Sequence, residues 1–332
     1  MRFVVQFLRL ALVAICSFAT LSLTSIAASA EDYPTRPIRL IVGFPPGGIN
    51  DIVARIVAQS LSESLGQSVV VENRAGAGGT IGANVVAKAE PDGYTLLLAS
   101  VSNLAMAPSL YKDLPYDPIK DFSPVALVAA SPNILVVPND SPIHSVADLI
   151  ALAKKQPGSI NYASAGIGTS NHLTVEFLKT TAGIDLVHVP YRGDTPGITD
   201  VLAGRIQMMF PTLPVALPHI KAGKLRAVAV SSSKRSELVP DVPTVAESGN
   251  LPDFAVSVWV GIMAPAKTSP EIVNKLSAEI GKALASSTVR KQLLAQGTEP
   301  AASTDAKFFE QYLAAEVKKW SDVAKAAGVT PN

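Results

Sequence analysis

Two glycine-bearing stretches carry the residue types that could do chemistry. The first reads Phe44-Pro45-Pro46-Gly47-Gly48-Ile49-Asn50-Asp51, and the second Ser164-Ala165-Gly166-Ile167-Gly168-Thr169-Ser170-Asn171-His172. Each follows a short apolar run and opens a stretch with helical periodicity. In open α/β sheets ligands sit at the carboxyl ends of strands. Glycine lets the backbone come close to a ligand. The first-turn amides of a helix lack internal acceptors and lie at the positive end of its dipole, so they suit an anion. Two such loops facing each other could hold both ends of one small acid. The first is equally readable as a tight strand-to-helix turn with Asn50 or Asp51 as its cap.

Catalytic chemistry finds less support. His172 has the type of an acid or base, but no serine–acid companion accompanies it, and a positioning or capping role suits it better. The stretch Gly76-Ala77-Gly78-Gly79-Thr80-Ile81-Gly82 invites a dinucleotide reading, yet Ile81 stands where that fingerprint needs glycine. There is no Gly-Lys-Ser/Thr phosphate loop. The four histidines, His144, His172, His188 and His219, show no metal-ligand spacing. No metal and no cofactor is expected, and the chain is not expected to be an enzyme.

The elements that must position these loops alternate. Strand-like apolar runs at 38–43, 69–71 and 95–99 interleave with helical patterns at 51–65 and 81–89, which predicts a parallel sheet covered on both faces. A second series follows, with strands at 134–137, 160–164, 187–189, 206–210 and 227–230. Helices are predicted between them at 171–181, 196–202 and 215–221, with Ser145 capping another. Residues 254–264 are again strand-like. Helices at 270–285, 288–296 and 305–326 close the chain, the first opened by Ser269-Pro270. The expected organisation is α/β, with two domains: residues 31–130 and 255–332 form the first, and 131–254 the second. A strand near 125–130 would leave the first domain and 254–264 would return, giving a two-strand hinge with a ligand cleft between the domains.

The N-terminus reads as an address. Met1-Arg2, an apolar run from about residue 10 to 24, and Ala28-Ser29-Ala30 describe a secretory signal peptide over 1–30, with cleavage after Ala30 leaving Glu31 first. The alternative is an uncleaved anchor, but the run is short for a membrane span. Cys16, the only cysteine, lies inside this leader. The mature chain would then have no disulfide, thiolate metal site or cysteine nucleophile. Arg2 and Arg9 leave with the leader, which holds no acid, so 28 basic residues become 26 against 27 acidic ones. That balance, with no basic run, argues against nucleic acid and anionic membrane surfaces as partners.

At these loops the sequence closely resembles the Bug-type, TctC-like substrate-binding proteins of tripartite tricarboxylate transporters. The matching stretches are Tyr33-Pro34-Thr35-Arg36-Pro37-Ile38, Phe44-Pro45-Pro46-Gly47-Gly48, Asp51-Ile52-Val53-Ala54-Arg55, Leu65-Gly66-Gln67, Val71-Glu72-Asn73-Arg74-Ala75-Gly76-Ala77-Gly78-Gly79 and Pro91-Asp92-Gly93-Tyr94-Thr95-Leu96-Leu97. Further on come Val189-Pro190-Tyr191-Arg192-Gly193, Leu217-Pro218-His219-Ile220-Lys221-Ala222-Gly223 and Pro240-Asp241-Val242-Pro243-Thr244. The resemblance implies a type II periplasmic-binding-protein fold, a periplasmic location and delivery of a small organic acid or amino-acid-like ligand to membrane permease subunits. The receptor is expected to be a monomer.

The resemblance also implies that the two loops hold a ligand carboxylate, partly through water. The candidate ligand-binding residues are Phe44, Gly47, Gly48, Ile49, Asp51, Ser100, Ser164, Gly168, Thr169, Ser170, His172, Tyr191, Arg192, Gly193 and Asp194. Two positions depart from the family pattern. Asp194 stands where a small residue is usual, and Pro211 follows Phe210 where Asp is frequent. Asp194 is expected either to cap the helix near Pro196 or pair with Arg192, or to recognise a cationic or hydrogen-bond-donating group on the ligand. Two other functions stay open: a sensory co-receptor for the same solute, and an exported α/β enzyme.

Overall fold

The computed structural model describes residues 33–326 except Gly168, together with Gly328. The chain divides into two units, Met1–Thr35 and Arg36–Asn332. The expected leader, with Cys16 and the cleavage point after Ala30, lies outside the described residues, as does the candidate Gly168.

Within the second unit, β1 (Ile38–Val42), α1 (Ile49–Leu65), β2 (Val69–Asn73), α2 (Thr80–Ala87) and β3 (Thr95–Ser100) alternate as expected. The three strands are parallel, with β1 between β2 and β3. On α1, Val53, Ala54, Val57, Ala58 and Leu61 are buried, a stripe at helical spacing that packs on the sheet. The helix ends at Gly66, whose φ of 67° is the left-handed stop that a Cβ would penalise. A π-helical turn, Val101–Met106, and the short α3 (Ala107–Leu110) follow β3.

Next come β4 (Phe122–Pro132) and, after Asn133 alone, β5 (Ile134–Pro138). The second series is α4 (Val146–Lys155), β6 (Asn161–Ser164), α5 (Ser170–Ala182), β7 (Val187–Pro190), α6 (Asp194–Leu202), β8 (Met208–Met209), α7 (Leu213–Lys221), β9 (Leu225–Val230) and α8 (Val245–Gly249). The chain closes with β10 (Ser257–Pro265), α9 (Pro270–Ala285), α10 (Ser287–Ala295), β11 (Glu299–Pro300) and α11 (Ala306–Ala326).

Two sheets result. One has the order β11-β4-β10-β3-β1-β2, the other β7-β6-β8-β5-β9. Neither is purely parallel, which corrects the expectation for the first. β10 runs antiparallel to β3 and β4, and β5 antiparallel to β8 and β9. The physical reason is the crossing: a strand leaving a sheet and one returning to it must run opposite ways. β4 passes into β5 through Asn133, while β10 pairs with β4 along its whole length, from Ser257 opposite Pro132 to Pro265 opposite Phe122.

The crossover is tied by short hydrogen bonds. Asn133 N donates to Ser231 Oγ at 2.9 Å, Ser231 N returns a bond to Asn133 O at 2.8 Å, and Ser231 Oγ donates to Val256 O at 2.7 Å. The strand expected over 206–210 shrinks to two residues. The ladder is replaced at its start by a side chain, since Asn161 N donates to Gln207 Oε1 at 3.0 Å.

β10 alternates as a strand should. Trp259 is fully buried and meets Phe309 and Tyr312 of α11 edge-on, at 5.6 and 5.9 Å between centroids. Val258 and Val260 point the other way. The indole nitrogens of Trp259 and Trp320 both donate to Glu316 Oε2 at 3.0 Å, and Lys319 completes the cluster by pairing with Glu316. That pairing and the two indole bonds let a carboxylate sit in the core. α11 packs on β4 and the π-helical turn and also on α5. Among the described residues no helix is long and apolar enough to cross a membrane, and no cluster of His, Cys, Asp and Glu could hold a metal.

Candidate functional site

The first loop is fixed by one buried carboxylate. Gly47 has φ of 83°, a conformation that favours glycine, and its amide donates to Asp51 Oδ2 at 3.0 Å. Arg55, one helical turn along α1, holds both Asp51 oxygens at 3.0 and 2.9 Å. Asn73, at the end of β2, donates to Asp51 Oδ1 at 2.9 Å and to Phe44 O at 3.0 Å. Burial alone would push the Asp51 carboxyl up, but Arg55, the Gly47 amide and Asn73 outweigh it and bring the pKa down to about 2. Asp51 therefore turns inward as a brace. Gly48 is the exposed N-cap of α1, with ordinary φ of −79° and no side-chain cap. A Cβ there would meet nothing closer than Pro45 O at 3.7 Å.

The second loop is held without an ion pair. Ser164 Oγ lies 2.6 Å from His188 Nε2 and accepts from Gly166 N at 3.1 Å. Thr169 Oγ1 donates to Gly166 O at 2.7 Å, so the hydroxyl closes its own turn just before α5. Behind Ser164 the rings of His172 and His188 stack at 4.2 Å, and His188 stacks on Tyr162 at 4.8 Å. Tyr162 donates to Glu176 at 2.6 Å, and Lys179 pairs with Glu176 at 3.0 Å. Burial, then the neighbouring His172, pulls His188 down to about 4 against the opposing pull of Glu176. Burial lowers His172 as well. Both shifts favour the neutral imidazole.

A cavity of about 320 Å³ lies between the start of α1, the crossing strands β4 and β10, and the starts of α6 and α7. Ile49, Asn50 and Val53 of α1 form one wall, and Ser131, Val258 and Val260 of the crossing strands form its floor. Asp194 at the start of α6 and Thr212, Pro214 and Val215 at the start of α7 face them, with Thr298 at the edge. Of the candidate residues, Ile49 and Asp194 line this space. Gly47, Gly48 and Asp51 flank its α1 wall in sequence, as Gly193 flanks Asp194.

The remaining candidates lie outside the lining. Phe44 sits behind the first loop, its carbonyl bonded to Asn73. Ser100 caps the π-helical turn in a reciprocal pair with Asn103. Ser164, Thr169 and His172 form the second loop and its backing, and Ser170 opens α5. Tyr191 OH donates to Asp200 at 2.6 Å, and Arg192 is exposed.

Neither structural role expected for Asp194 is the one seen. α6 begins at Asp194 itself, with Gly193 at the N-cap, and no ion pair joins Asp194 to Arg192. Its Oδ1 accepts from Asn171 Nδ2 at 2.8 Å, and Thr212 Oγ1 lies 3.5 Å from Oδ2. Burial pushes this carboxyl up, against the lowering effect of Asn171 and Thr212.

Sequence reasoning missed Asn50, Val53, Ser131, Thr212, Val258 and Val260. Thr212-Leu213-Pro214 carried a readable signal, a hydroxyl N-cap with proline in the first turn. The crossing-strand residues carried none, because alternation does not say which face meets a cleft.

The family model described as tripartite tricarboxylate transporter family receptor matches residues 53–329. The chain belongs to that family. Protein BugT of Bordetella pertussis is 42% identical over 301 residues, covering 90% of this chain and 92% of BugT. A solved R. palustris protein with adipate is 37% identical, covers 91% of this chain and 100% of its own, and superposes with a TM-score of 0.75. MatC from Rhodopseudomonas palustris, with bound malate, is 33% identical, covers 88% and 99%, and gives a TM-score of 0.71. The two-sheet architecture with crossing strands is thus the periplasmic-binding-protein fold of this receptor family. Asp194 and Phe210, the residue before Pro211, meet at one spot: Asn171 Nδ2 donates to Asp194 Oδ1 and to Phe210 O, the latter at 3.2 Å.

The third glycine stretch has a packing role. A Cβ on Gly43 would lie 2.5 Å from Gly79 O, and one on Gly82 would lie 2.8 Å from Gly43 Cα. These glycines let α2 lie directly on β1, so no nucleotide is needed to account for them.

Proposed function

We propose that this chain is a periplasmic solute-binding receptor that captures a small carboxylate-bearing molecule and hands it to the membrane permease subunits of a tripartite tricarboxylate-type transporter. The observation that carries the reading is the cavity over β4 and β10, with the start of α1 on one side and those of α6 and α7 on the other. Unpaired first-turn amides can hold a carboxylate directly or through water. Loop amides around Gly48 and Thr169, Ser170 and Ser164 are assigned to that carboxylate. Asp51 and His172 are assigned to holding the loops. Malate and adipate bound to relatives support the ligand class. Residues 31–130 with 255–332 and residues 131–254 are read as lobes that close on the solute about β4 and β10. Export would remove residues 1–30 and leave Glu31 first. The protein is read as a non-catalytic monomer.

Thermal-shift screening of small carboxylates on ligand-free protein tests the reading. A binder at about 100 times its dissociation constant should stabilise by about 2.7 kcal/mol, readily visible as a raised melting temperature. A flat response across mono-, di- and amino-carboxylates would reject it. N-terminal sequencing of periplasmic material checks the cleavage.

A further inference from the structure

The cavity lining has a charge pattern that a simple diacid does not fit. Its walls are apolar over Val53, Val215, Val258 and Val260, and its polar groups are neutral except for one carboxylate, Asp194. No lysine, arginine or histidine lines it. Asp194 is fixed in place by Asn171 and Thr212 but has no ion-pair partner among the described residues. Asp51, by contrast, is matched by Arg55. A second carboxylate on a ligand would find no cation in the lining and would face Asp194 at short range, where like charges repel more than in bulk water. An ammonium group would supply the missing countercharge.

We propose that Asp194 is the specificity-determining residue of the cleft and that it selects a monocarboxylate bearing an ammonium group and an apolar body, an amino-acid-like zwitterion instead of a diacid. This rests on the receptor reading and names its substrate class. The ligand carboxylate meets loop amides, its hydrocarbon lies against the valines, and its ammonium donates to Asp194. The carboxyl is part-buried and held by neutral donors alone, so an entering ammonium group would be its first cationic partner.

Four acids of equal carbon number separate the possibilities: L-norleucine, 6-aminohexanoate, hexanoate and adipate. Calorimetry on the full mature chain should show one of the amino-bearing acids binding at least about tenfold tighter than hexanoate or adipate. Asp194→Asn should weaken that ligand about ten- to hundredfold, leave hexanoate unchanged and improve adipate, with the same melting temperature for the unliganded protein. Asp194→Ser, which keeps a polar side chain without the charge, should show the same pattern if the asparagine variant folds poorly. Wild-type preference for adipate or hexanoate, or equal weakening of all four acids in both variants, would overturn the proposal while leaving the receptor reading standing. Binding of none of the four would overturn both.

Discussion

After β1 the chain turns into α1 through Gly47 and Gly48; between β6 and α5 lie Ala165, Gly166 and Thr169. The two turns share a plan, strand then glycine then helix start, but not a means of support. Asp51 holds the first with a full negative charge matched by Arg55 and capped by an amide and Asn73. Ser164 holds the second through a neutral imidazole, itself stacked in a column of three rings. An ionic brace tolerates acid until its carboxylate protonates. A neutral histidine brace fails earlier, because the unfolded chain takes up protons that the folded column refuses. The two loops therefore have different ranges of pH in which they are held.

The sharpest way to break the comparison is to remove access without touching either brace. Gly48→Val places its Cβ in ordinary contact with Pro45 O at 3.7 Å and needs no strained backbone. It should cut affinity for a carboxylate ligand about a hundredfold, while the unliganded melting temperature stays put. Calorimetry beside a melting curve reads both. Retained affinity would reduce the double glycine to a turn. Asp51→Ala attacks the first brace. It should cost about 2 kcal/mol of stability and weaken binding about tenfold, because Gly47 and Arg55 both lose their acceptor. Urea titration and calorimetry measure the pair. Loss of affinity without loss of stability would mean that Asp51 touches the ligand.

The smallest effect concerns acid. His188 has its pKa lowered from 6.5 to about 4, so its contribution is present above pH 6.5 and is lost as pH falls toward 4. Asp51 has its pKa lowered from 3.8 to about 2, so its contribution is present above pH 3.8 and is lost as pH falls toward 2. Stability should therefore decline in two separate steps. The first, about 1–3 kcal/mol, should flatten in His188→Gln, and the second should remain. A single step unaffected by that variant would dissolve the distinction.

Much of the fold could be read from the chain because periodicity and punctuation agreed. The α1 stripe, Gly66 as its stop and Ser269-Pro270 at the start of α9 all pointed the same way. The antiparallel sense of β10 could not be read, since strand direction depends on where the chain has already gone. β8 looked longer than it is because Gln207 replaces a ladder bond with a side chain. The two strand-to-helix loops were visible through their glycines. The floor of the cavity was not: Ser131 and Val258 meet it only through the pairing of two strands 127 positions apart in register. Asp194 stood out as an unusual acid, but its lack of a cation is a fact of three dimensions.

The only two tryptophans, Trp259 and Trp320, share a single oxygen of Glu316, and Trp259 sits on β10 between the two valines that floor the cavity. The molecule thus carries a built-in optical gauge. Any twist of β10 against α11 should alter the polarity sensed by both indoles together, so emission colour and lifetime can report the packing beneath the cavity floor without an attached dye.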